Sequence, residues 1–382
     1  MWPTASFLFL PFLAAAAVVV VIVVAVDIII MGIKQPGRGA DATRPGPVHA
    51  LAYSASPGTY ILTGSADRAI RLYNPSPGTA AAPGPGPPAL PHGRLIQTYA
   101  AHGYEVLALD VAPDNERFAS AGGDRSVFLW DVATALTTRR FAGHSARVNC
   151  VRFAGDGASL VVSGGFDTTV RVWDARTSAP APVQVLAEAR DAVSALAVAG
   201  HHVVAGSVDG RVRSYDVRMG RCTTDVLAAS VTSLALTRDA RAMLVGTLDS
   251  KLRLMDRDTG ACLRAYAHDG WRNEELRIQS LLGAGERYVV AGDEMTAGDG
   301  DAAPSADGRV WAWDLMTGKL AATVRVAWGP HGSEHKRRAV GRDGKEKTRA
   351  NVISCMAWRD GGWGDQFCVG GTSGVVTVFG AL

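Results

Sequence analysis

The chain is poor in the signals of a catalyst, a metal centre or a secreted framework. Asn74 is followed by Pro75, so no Asn-x-Ser/Thr acceptor for glycosylation survives. The five cysteines, Cys150, Cys222, Cys262, Cys355 and Cys368, form no Cys-x-x-Cys pair. An odd count without ligand spacing argues for free thiols in a reducing compartment over a disulfide framework. No GxxxxGK[ST] motif is present, and Gly283-Ala284-Gly285 precedes a strand pattern where a phosphate loop would precede a helix. His201-His202 and His268 have no cysteine or carboxylate at ligand spacing, so neither metal nor cofactor is expected. An excess of one charge is missing too: 39 Lys and Arg face 36 Asp and Glu, for a net +3. No global field for polyanions follows from that balance.

What is present begins with an apolar extension, residues 1–30. Phe7 to Val26 is almost continuously apolar, broken by Pro11, and is long enough to span a bilayer. No Lys or Arg precedes it, which weakens a secretory reading. Two readings stand foremost: an upstream extension with the true start at Met31, or a membrane anchor. As an anchor, the following Lys34, Arg38 and Arg44 would hold the rest of the chain on the cytosolic side. A third assigns the Val- and Ile-rich run 18–30 to a strand that closes the fold. Residues 31–47 read as a linker or closing-strand region.

From Val48 onward one pattern recurs, clearest in Leu160-Val161-Val162-Ser163-Gly164-Gly165-Phe166-Asp167 followed by Val170-Arg171-Val172-Trp173-Asp174. Period-2 alternation marks strands, and Gly-Gly-x-Asp marks the turn between them. With Gly143-His144 upstream, the order Gly-His, strand, strand, turn Asp, strand, Trp-Asp resembles one blade of a WD40 propeller. Turn aspartates Asp67, Asp124, Asp167, Asp209, Asp249 and Asp307 set a register of roughly 40–45 residues per blade where no insertion intervenes. The fold expected is all-β, a seven-bladed WD40 β-propeller over residues 48–380. Insertions interrupt it at 75–93, 293–306 and 329–349. The chain stops on the third strand of the seventh blade, so the fourth must come from the N-terminal side of Val48.

Two sets, His102, Ser120, Asp124, Trp130 and His144, Ser163, Asp167, Trp173, contain the ingredients of a hydrolytic triad. Their repetition argues instead for buried hydrogen-bonded chains that tie turn to strands, and no catalytic residue is expected. The residue before each turn Asp should lie on one rim: Ala66, Gly123, Phe166, Val208, Leu248 and Ala306. Phe166, Val208 and Leu248 would give three exposed apolar side chains in consecutive blades, a protein-binding patch. Tyr104, Glu105, Arg147, Arg190 and Asp191 are expected on the same rim. The basic run Lys336-Arg337-Arg338 with Arg342, Lys345, Lys347 and Arg349 lacks interleaved aromatics, so direct nucleic-acid contact is not expected.

Leu186 to Ser194, Ala205 to Gly220, Ala101 to Leu107 and Thr247 to Asp256 depart from the generic blade. In these stretches the chain resembles the mitogen-activated protein kinase organizer family, over about residues 48–380. The resemblance implies a monomeric, non-enzymatic, cytoplasmic or nuclear scaffold that assembles kinase-cascade components and is also associated with the spliceosome. Partners would be proteins, with no small-molecule substrate, and a membrane only if residues 1–30 anchor. The apolar N-terminus, the Pro/Ala/Gly loop and the two late insertions lie outside the compact family pattern.

Overall fold

A computed structural model describes residues 31–34, 46–75, 93–294, 307–328, 338–340, 346–348, 351–359 and 365–380. Seven four-stranded antiparallel sheets succeed one another along these residues as blades of a propeller. Blade one comprises Val48–Tyr53, Ile61–Ser65, Ile70–Asn74 and Arg94–Tyr99; blade two Val106–Val111, Arg117–Gly122, Ser126–Asp131 and Thr137–Ala142. Blade three holds Val148–Ala154, Leu160–Gly165, Val170–Asp174 and Gln184–Leu186; blade four Val193–Ala199, His202–Ser207, Arg211–Asp216 and Arg221–Val226. Blade five holds Val231–Leu236, Ala242–Thr247, Lys251–Asp256 and Cys262–Tyr266; blade six Ser280–Gly283, Tyr288–Gly292, Gly308–Asp314 and Leu320–Val326. The last three strands, Ile353–Arg359, Gln366–Gly371 and Val375–Gly380, are completed by Met31–Lys34. Met31 pairs with Val378 and Lys34 with Val375, so the N-terminal side of the chain closes the ring. Of the anchoring readings nothing structural follows: Phe7 to Val26 lies outside the described residues. Among the described residues no helix is long and apolar enough to cross a membrane.

Each blade is too thin to bury both of its faces alone, and the core lies between blades. Ala108, Val127 and Phe141 of blade two pack with Val148, Val161 and Trp173 of blade three. Val48, Ile61 and Tyr73 of blade one pack with Cys355, Cys368 and Val376 of blade seven, which seals the ring. Six inner strands carry a register shift at their second residue, as between Val148 and Cys150 or Val193 and Ala195. Such a bulge turns one side chain out of the ladder. Here several of those side chains stitch neighbours together. Asn149 Nδ2 donates to the Val193 carbonyl at 2.8 Å, and Ser194 Oγ to that of Val231 at 2.6 Å.

In blade six the structure corrects the turn. Asp307 stands just ahead of the third strand, at the far side of the insertion, and the turn position belongs to Asp293 and Glu294. The Glu294 N–H donates to the Arg272 carbonyl, as the Phe166 N–H does to Arg147 and the Val208 N–H to Ala192. The sequence pattern followed the aspartate and not the strand end, because a long insertion separates the two. Ala306 and residues 76–92 lie outside the described residues, as does most of 329–349, of which Arg338–Val340 and Glu346–Thr348 pair as a short hairpin. All five cysteines are free; Cys150, Cys355 and Cys368 are buried, and Cys222 and Cys262 are exposed on outer strands.

Candidate functional site

The two histidine sets each converge into one chain. His144 Nε2 lies 2.8 Å from Ser163 Oγ, and Trp173 Nε1 donates to the same oxygen at 2.8 Å. His144 Nδ1 is 2.9 Å from Asp167 Oδ2, which also accepts the Ser145 N–H at 2.9 Å. In blade two His102 Nε2 is 2.7 Å from Ser120 Oγ, Trp130 Nε1 donates to that oxygen at 2.8 Å, and His102 Nδ1 meets Asp124. Burial lowers the His144 pKa, with Asp167 opposing the shift and Arg171 adding to it. The atoms match the order of a serine triad, but Ser120 and Ser163 are 0% exposed and their oxygens are held by an indole N–H. No substrate carbonyl can reach them, so these chains hold the turn to the strands.

Blades one, four and five hold the same turn without histidine. Arg213 Nη2 donates to Asp209 Oδ2 at 2.7 Å and its Nη1 to Ser207 Oγ at 2.9 Å. Arg253 reaches Asp249 Oδ2 at 2.5 Å and Thr247 Oγ1 at 2.6 Å; Arg71 reaches Asp67 Oδ2 at 2.6 Å. The hydroxyl sits where blades two and three have Gly122 and Gly165. A Cβ on Gly165 would fall 2.7 Å from His144 Nδ1, so histidine requires glycine there. Burial opposes ionisation of Asp209, but the Arg213 fork, the Ser207 hydroxyl and the Arg190 N–H outweigh it and hold the carboxyl down at about 2. The spacing Ser/Thr-x-Asp-x-x-x-Arg marks this variant in the sequence. Blade six is a third variant: Trp311 Nε1 donates to the buried Asp293 at 3.1 Å.

These turns define one rim, and the expected surface residues gather on it across blades two to five. Tyr104 is 65% exposed, Phe166 50% and Val208 39%. Arg147 stacks its guanidinium over the Phe166 ring at 4.9 Å. Glu105 is half-buried beside His49, at 3.8 Å from its Nε2. Arg190 and Asp191 are exposed, and the Arg190 N–H donates to Asp209. Leu248 differs from expectation: it is half-buried. The segment leading into blade six covers part of that turn, with the Ser250 N–H donating to Asn273 and the Asn273 N–H to Ser250 Oγ. The same segment brings in two side chains that strand patterns did not point to. Leu276 is 44% exposed, and Arg277 crosses the axial channel to donate to the Asn149 carbonyl of blade three at 2.8 Å. The channel mouth is a cavity of about 400 Å³ lined by His49, Glu105, Arg147, Asn149, Arg152 and Arg277 among others. Among the described residues no group of three metal-ligating side chains occurs.

The family described as WD domain, G-beta repeat, matches residues 42–74, 93–131 and 136–174. WD repeat domain-containing protein 83 of Rattus norvegicus is 40% identical over 281 residues, 74% of this chain and 79% of the rat protein. Its homolog in Dictyostelium discoideum is 28% identical over 304 residues, 72% of this chain and 84% of that protein. An uncharacterized WD repeat-containing protein of Schizosaccharomyces pombe is 36% identical over 284 residues, 74% and 85% of the two chains.

Proposed function

Since the chain belongs to the WD40-repeat family and is a homologue of WD repeat domain-containing protein 83, we propose that it is a non-catalytic scaffold that assembles protein partners on its turn-aspartate rim. The observation that carries this reading is the exposure of Tyr104, Phe166 and Val208 in three consecutive blades, with Arg147 stacked on the middle one. Monomeric surfaces rarely leave large aromatic side chains grouped without use, and aromatic and arginine anchors dominate the energy of protein interfaces. A rigid disc that holds two partners raises the concentration of each around the other, and this is how a protein without chemistry accelerates a cascade.

The partners proposed are components of a mitogen-activated protein kinase cascade, on the resemblance of residues 186–194, 205–220 and 247–256 to that organizer family. The location proposed is the cytoplasm or nucleus. A second reading, a structural subunit of a splicing ribonucleoprotein, rests on the same family resemblance, which includes association with the spliceosome. Affinity purification of the tagged full chain and of Phe166→Asp separates them. Kinases recovered without small nuclear RNA, and lost from Phe166→Asp, are expected. Splicing proteins with small nuclear RNA would replace the first reading by the second. An unchanged partner set with Phe166→Asp would move the binding surface off this rim.

A further inference from the structure

The axial channel opens on this same rim, and its charges do not balance. Arg277 and Arg147 stand at the mouth, and among the described residues neither has a carboxylate within 4 Å. Arg152, deeper in, faces Asp110 at 3.6 Å. Among the described residues the one acid lining the mouth is Glu105, beside His49, so two guanidiniums without an acid partner leave a single positive charge over. Arg277 is solvent-exposed at the channel mouth, with the protein of the opposite blades packed around its guanidinium. Desolvation by that surrounding protein, together with Arg152 and Arg147, pushes its pKa below the ordinary arginine value.

Such crowding of like charge disfavours the free protein, yet the fold holds Arg277 in place. The buried Glu294 carboxylate accepts the backbone N–H groups of Glu274 and Glu275, both at 2.9 Å, and of Leu276, which fixes the chain just before Arg277. The Arg277 guanidinium is then fixed again by Asn149. A positioned cation without a counter-charge, in a cavity beside exposed aromatic side chains, is a binding feature kept at the expense of stability.

We propose that the channel mouth is a carboxylate site that takes an Asp or Glu side chain of a partner peptide, whose neighbouring apolar residue lies on Phe166 and Tyr104. The inference rests on the scaffold reading and names the chemistry of the partner. One surplus positive charge matches a carboxylate monoanion, where a phosphate dianion would leave the mouth negative. Arg147 links the two parts of the site, with its fork at the mouth and its face on the Phe166 ring. The cavity of about 400 Å³ admits a side chain and not a folded element.

The test is an array of random dodecapeptides, each in unmodified and serine-phosphorylated form, probed with the full chain, with Arg277→Gln and with Arg147→Gln. Peptides bound by the wild type should share an acidic residue next to an apolar one. Exchange of that residue for its amide should weaken binding at least tenfold. Arg277→Gln should lose the acidic preference and melt no lower than the wild type, since it removes a repulsion. The exposed Arg147→Gln gives the same reading without touching the channel interior. An acidic preference that survives both substitutions overturns the proposal, as does a consensus without acid or one confined to the phosphorylated forms. Each of these leaves the scaffold reading intact, because peptides still bind; a wild type that binds no peptide removes both.

Discussion

A hydroxyl at the heart of a blade can be judged by what it leaves behind when removed. Ser163 Oγ is shared by His144 Nε2 and Trp173 Nε1, all inside the core. A buried polar group stripped of its partner loses about 1–3 kcal/mol. Ser163→Ala is therefore expected to destabilise by about 2–4 kcal/mol, read as a lower midpoint in urea with the slope unchanged. Blade six supplies the converse. Its Trp313 occupies the place of Trp173, but the serine position is Ala291, and among the described residues the Trp313 Nε1–H has no acceptor. Ala291→Ser should stabilise by about 1 kcal/mol, seen in the same measurement. The arginine-held turns give a pH signature. The Asp209 carboxyl sits at about 2 when folded, below its ordinary 3.8. A depressed acid contributes stability above its unfolded value and loses it as pH falls towards the folded one. The stability gap between the wild type and Asp209→Asn should hold from pH 7 to about 4. Below that it should narrow by about 1.4 kcal/mol per pH unit. A gap that stays constant down to pH 3 would show that the pair with Arg213 is not what the turn depends on.

At the level of the element, the strand that closes the ring is only four residues long. Met31–Lys34 pairs with Val375–Val378 and leaves no open edge on blade seven. A chain beginning at Met31 keeps this pairing, and one beginning at Gln35 loses it. Removal should cost about 2–4 kcal/mol for the lost ladder, and the two chains, compared by thermal unfolding, should differ while the Met31 chain matches the full one. Equal melting of both would remove the strand from the account of ring closure. The need for this strand was legible, because the pattern ends on a third strand. Its residues were not legible, since Met-Gly-Ile-Lys has no alternation long enough to mark it. Likewise the turn aspartates gave the register of five blades directly, from Asp67 to Asp249, where each follows its strand by two residues. In blade six Asp293 and Glu294 took over, and an insertion carried Asp307 away. Ser65, Ser207 and Thr247 could have been paired with Arg71, Arg213 and Arg253 by spacing alone. Arg277 could not: its segment has no strand or turn period, and its meeting with Asn149 depends on two blades facing each other across the ring.

For the whole molecule, the packing decides how it unfolds. Every hydrophobic cluster joins two neighbouring blades: Cys150, Val162 and Val172 with Leu196 and Tyr215, for instance, or Leu244 and Leu252 with Val289 and Trp313. No blade owns its core, so no blade can leave without exposing both neighbours. A linear array of repeats can fray from its ends, whereas a ring sealed by Val376 and Val378 against Ile61 and Tyr73 has no end from which to fray. The molecule should therefore unfold in one step despite its length. Tryptophan fluorescence, which reports on blades two, three, six and seven through Trp130, Trp173, Trp313 and Trp358, should change together with far-ultraviolet circular dichroism, which reports on all seven. Val376→Ala at the seal should lower both midpoints equally, by a stability of about 2 kcal/mol, although no tryptophan lies in that cluster. If the substitution shifted the circular dichroism and left the fluorescence in place, the seal would be local. The blades would then be separate cooperative units, and a scaffold built from them would present its rim as hinged segments. Coincident shifts would mean that the rim residues Tyr104, Phe166 and Val208 keep fixed mutual positions for as long as the ring is closed.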